Sequence, residues 1–120
     1  MGSRNKWSLL ALALLEATSL PLLVLSLTLI LSGYTLVEPH TVSKLTGGLI
    51  SLTVAYKLHL DPVIRFSYTL LLSIHVIAGF TILLNRRVRS KTLNKIFKTI
   101  VIVISVYIVY IAFIVEYITP

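Results

Sequence analysis

The chain has 120 residues, of which 57% are hydrophobic and only 12% charged, with a mean hydropathy of +0.96. A soluble domain is less apolar and roughly twice as charged. The formal net charge is +7 and cysteine is absent, which excludes disulfides, thiolate chemistry and cysteine-held zinc or iron–sulfur sites in these residues.

A membrane-spanning helix needs about 20 apolar residues in succession. The first such run covers about residues 7–33. It is interrupted by Glu16 and carries Pro21, which predicts a kink. The short basic start before it resembles that of a signal peptide. The apolar run is longer than a signal core and has no small-residue cleavage site near its end, so it reads as a retained helix. The second run is 62–84 and the third 99–118. Lipid offers no partners to backbone polar groups, so each span must be helical. The expected fold is all-α: an integral-membrane three-helix bundle forming a single domain.

Between the first two spans, residues 34–61 are expected as an outer loop. Within it, 45–60 is apolar enough to suggest another span, but it is short and contains Gly47, Gly48 and Lys57. An amphipathic segment lying on the membrane surface fits better. The Asp61-Pro62 pair predicts the start of the second span, Asp61 as N-cap and Pro62 at the first helical position. Residues 85–98 are expected as a basic loop.

Basic residues set orientation. Arg4, Lys6, Arg86, Arg87, Arg89, Lys91, Lys95 and Lys98 would lie on one side, against Lys44, Lys57 and Arg65 on the other. This bias predicts a multi-pass protein of a prokaryotic plasma membrane with the N-terminus inside and the C-terminus outside. The flanking positions of the cations favour anionic lipid head groups over nucleic acid as their partners. Trp7, Tyr34, Tyr56, Tyr68 and Tyr117 fit an interfacial aromatic belt. Tyr107 and Tyr110 lie deeper and are expected to pack or hydrogen-bond within the bundle.

His75 stands in the middle of the second span, where an ionisable residue is costly to hold. Imidazole is also a common ligand of metals and of haem iron. At about 100° per residue, Tyr68, Leu72, His75, Gly79, Ile82 and Arg86 share one helix face. That stripe offers a ligand at His75, close approach for a flat group at Gly79 and a counter-charge at Arg86. The alternative is that His75 hydrogen-bonds a neighbouring helix while Arg86 extends to the interface. Glu16 is the other deep charge. It reads as a packing group, a proton relay or a partner for His75, with Ser19 and Ser26 continuing a small polar stripe. His40 and His59 read as exposed loop residues. On one continuous helix His59 and His75 would be about 24 Å apart, too far for one iron.

The segment Ser73-Ile74-His75-Val76-Ile77-Ala78-Gly79, in a chain of three apparent spans, resembles the small cytochrome b membrane anchors of succinate dehydrogenase and fumarate reductase. The resemblance covers about 20 residues, one span's length. It implies haem b with His75 as one axial ligand and the other supplied by a partner chain. It further implies a subunit that passes electrons to or from quinone within a respiratory complex. The first span lacks the Ser and Arg cluster of that family's quinone site. Two other roles fit the residues: a haem-free structural or assembly subunit among other membrane subunits, and a small proton-coupled exporter using Glu16. No nucleotide-binding loop, catalytic triad or metalloprotease motif is present, so a self-contained enzyme is not expected.

Overall fold

The computed structural model describes residues 2–119. The side chains of residues 2–5, and so the charge of Arg4, lie outside that description, as does Pro120. Among the described residues the chain is helical throughout, with α1 Gly2–Val37, α2 Pro39–Leu45, α3 Leu52–Leu60, α4 Pro62–Arg87 and α5 Lys91–Phe113. The last turn widens into a π-helix at Ile114–Ile118. Three of these helices are long and apolar enough to cross a membrane.

The helices are longer than the apolar runs that announce them. α1 continues through Pro21 to Val37, so the expected outer loop loses its first residues to the helix. The rest of that loop is two short helices. Gly47 and Gly48 separate them in left-handed conformations, with φ of 65° and 84°. The Gly48 amide donates to the Ser43 carbonyl at 2.7 Å, closing α2 with a glycine cap. Ser51 caps α3 by accepting from the Val54 amide. α3 then lies against α1, where Ala55 is fully buried.

Asp61 and Pro62 start α4 as their sequence predicts. Asp61 Oδ1 accepts from the amides of Val63 and Ile64 at 2.8 and 3.1 Å, and Pro62 needs no donor there. The expected basic loop 85–98 is almost wholly helical. Arg86 and Arg87 finish α4, Lys91, Lys95 and Lys98 sit on the opening turns of α5, and residues 88–90 alone make the turn. Ser90 caps α5 by accepting from the Leu93 amide. Charge ended the apolar run, but Lys and Arg are good helix formers and hydrogen bonding carried on.

α4 is the central element. α1 packs along one face of it and α5 along another, while α1 and α5 scarcely touch. The three long helices therefore form an open arrangement about α4. At the far end from the α4–α5 turn, Phe66, Phe113 and Tyr117 pack with ring centroids 5.3–6.2 Å apart. Tyr107 and Tyr110 do not pack inside as expected. Both point away from the neighbouring helices and are exposed. The chain itself buries only 17%, 11% and 6% of the apolar windows of α1, α4 and α5.

Candidate functional site

The α1–α4 seam is built from small and hydroxyl-bearing residues. On α1 it includes Ala11, Thr18 and Leu22, all buried. On α4 it includes Ala78 and Gly79, where a side chain at Gly79 would meet Leu15 Cδ1 at 3.5 Å. Small residues let two helices approach closely, which is what stabilises helix pairs in lipid.

His75 sits in this seam. Its Nδ1 lies 2.8 Å from Thr18 Oγ1. The Thr18 hydroxyl donates to the Leu14 carbonyl at 2.7 Å. A hydroxyl has one proton to give. With that proton on Leu14, Thr18 accepts from His75, so Nδ1 carries the hydrogen and Nε2 keeps its lone pair. About two turns further along the seam, Ser26 Oγ lies 3.4 Å from the Tyr68 hydroxyl.

His59 repeats the arrangement near the C-terminal end of α1. It is half-buried on α3, in contrast to the exposed loop residue expected. Its Nδ1 is 3.1 Å from Ser32 Oγ, and its ring lies over Gly33, where an added Cβ would be 3.2 Å from Cε1. Ser32 and Thr35 beside it are fully buried. Nothing in the hydropathy of residues 34–61 announced this. The signal was the short polar pair Ser32-Gly33, which leaves space for a ring. The partners of the two histidines, Thr18 and Ser32, lie about 21 Å apart along α1. The two imidazoles therefore serve separate places. His40 is exposed, as expected.

Of the stripe from Tyr68 to Arg86, Tyr68, His75 and Gly79 meet α1, while Leu72 is exposed on the side of α5. Leu15 occupies the space over Gly79 that a flat ring would need. Arg86 is exposed at the end of α4. The adjoining seam of this chain does not provide the room that a haem beside His75 would need. Among the described residues, no three or more His, Cys, Asp or Glu side chains cluster as a metal site.

Glu16 does not meet His75. It is exposed on α1, as are its neighbours Leu12 and Leu20. Ser19 is also exposed and turns its hydroxyl back to the Leu15 carbonyl at 2.6 Å. Among the described residues the ion pair is instead Arg65 to Glu116, at 2.8 Å. The Glu116 side chain is only 9% exposed and that of Arg65 is 39% exposed. In the sequence Glu116 is a single acid near the end of the third apolar run, with nothing beside it to mark a partner. The π-helical turn that carries it lies against the first turns of α4, where Arg65 is waiting.

No protein-family model, curated protein or solved structure matches the chain.

Proposed function

We propose that this chain is a membrane-embedded subunit that assembles with other membrane chains, with its N-terminus on the cytoplasmic side. The observation that carries this reading is Glu16. It is exposed near the middle of an apolar helix, it takes part in no ion pair among the described residues, and its surroundings on that face are leucines. Such a residue is costly against lipid and is typically satisfied by a partner within a protein interior. Within the subunit, His75 and His59 act as interhelical locks, each held by a hydroxyl of α1. The role is structural, holding partner chains in place.

One observation favours a second reading, that of a haem b subunit in electron transfer to or from quinone. His75 Nδ1 is pinned by Thr18, which leaves Nε2 as the free donor atom, and ligating histidines are characteristically held in this way through the other ring nitrogen. Haem, if bound, would carry one electron at a time. His75 would hold it from one side, and a partner chain would supply the other ligand and the room that the α1–α4 seam lacks.

A reduced-minus-oxidised absorption spectrum of the complex purified through this chain separates the two. The structural reading expects no b-type bands that depend on His75. Bands that vanish in His75→Ala while the complex stays assembled establish the second reading.

A further inference from the structure

Among the described residues the cations of the α4–α5 turn form no ion pair. No Asp or Glu occurs between Pro62 and Val115, yet Arg86, Arg87, Arg89, Lys91, Lys95 and Lys98 fall within 13 residues. Arg65, at the opposite end of α4, has Glu116. At the turn, a cavity of about 470 Å³ is lined by Arg89, Lys91, Lys95 and Lys98 together with Asn85 and Asn94. Its polar lining is organised. Lys98 Nζ donates to Asn85 Oδ1 at 2.7 Å, and Asn94 Nδ2 donates to the Leu84 carbonyl at 2.9 Å. The amino terminus of α5, a 23-residue helix, opens beside it and adds partial positive charge.

A second cavity adjoins the first. It has a volume of about 600 Å³, shares Lys91, Lys95 and Thr99 with the polar cavity, and extends over Ile96 and Ile100. Charge and apolar surface thus meet along one edge of α5, where the helix passes from its basic opening turns into its apolar span.

We propose that this paired cavity binds one anionic phospholipid, with its phosphate among Arg89, Lys91, Lys95 and Lys98 and an acyl chain along Ile96 and Ile100. A phosphate supplies anionic acceptors to Arg89, Lys91 and Lys95, and to Lys98 beside its Asn85 partner. A soluble phosphate would satisfy the polar cavity but leave the apolar groove uncovered, so the lipid is the occupant that matches both halves. Basic pockets at helix ends on the cytoplasmic side are where anionic head groups are recognised. The inference rests on the membrane reading of α1, α4 and α5 and is independent of either role for His75.

The test uses the full chain, purified in mild detergent and delipidated, and titrated by native mass spectrometry. The probes are phosphatidylglycerol, phosphatidylcholine and inorganic phosphate. Phosphatidylglycerol should bind in preference to phosphatidylcholine. Lys95→Gln with Lys98→Gln should weaken it on the order of 30-fold, from about tenfold per 1.4 kcal/mol and roughly 1 kcal/mol per cation. Lys44→Gln with Lys57→Gln, on α2 and α3 away from the α4–α5 turn, should leave binding unchanged. Equal binding of both lipids, or no effect of the Lys95 and Lys98 changes, overturns the site. Inorganic phosphate competing as well as the lipid overturns the assignment to a lipid. Failure of the unmodified chain to enter vesicles of either lipid overturns the membrane reading itself, and the site with it.

Discussion

A threonine hydroxyl can donate once, and Thr18 has the Leu14 carbonyl at 2.7 Å and His75 Nδ1 at 2.8 Å. When the proton goes to Leu14, Thr18 accepts from the imidazole. Thr18→Val should leave the ring nitrogen unpaired in the seam and cost about 1–2 kcal/mol, while Thr18→Ser keeps the hydroxyl and most of the stability. Denaturant unfolding in mixed micelles reads both; equal stability of all three forms would show that the contact contributes nothing. Gly79 makes the same point about space. A methyl group there would meet Leu15 at an ordinary contact distance, so Gly79→Ala should be nearly neutral. Gly79→Leu overfills the seam and should cost about 1–3 kcal/mol in the same assay. That His75 and Glu16 fall inside long apolar helices was legible from the runs around them. Which helix each would face was not, because a span that is apolar on most sides gives little indication of its buried face. Thr18 was visible only as one small polar residue among several.

At the scale of the element, the sequence announced starts better than ends. Asp61-Pro62, where a side-chain acceptor and a missing donor coincide, was readable and is realised in α4. The continuation of α5 through Lys91, Lys95 and Lys98 was hidden, because hydropathy falls at a charge whereas helical hydrogen bonding does not. The break between α2 and α3 rests on Gly47, whose φ of 65° disfavours any residue with a Cβ. Gly47→Ala should destabilise that connection by about 1 kcal/mol, detected as faster amide exchange in α2 and α3 than in α4. Unchanged exchange would mean the turn tolerates another backbone path. The join between α4 and the π-helical end of α5 rests partly on Arg65 and Glu116. A double-mutant cycle with Arg65→Gln and Glu116→Gln should give a coupling of about 0.5–1 kcal/mol, kept modest because Arg65 is partly exposed to screening.

At the scale of the whole molecule, three long helices arranged openly about α4 leave most of their apolar surface uncovered by the chain. Lipid can cover leucine and isoleucine, but it is a poor neighbour for Glu16. The account therefore expects another protein chain against the outer face of α1. The basic bias adds an orientation: reporters placed at Ser90 and after Thr119 should lie on opposite sides of the membrane, and finding both on one side would remove the three-span arrangement. The face of α1 itself can be probed without disturbing Glu16. A photo-crosslinking amino acid in place of Leu12 or Leu20, both exposed beside it, should give adducts with a protein chain in intact membranes, whereas one in place of Val103 on α5 serves as the comparison for a lipid-covered position. Protein adducts from Leu12 and Leu20 are the predicted result; lipid adducts alone from both would contradict the claim that this chain works as a subunit.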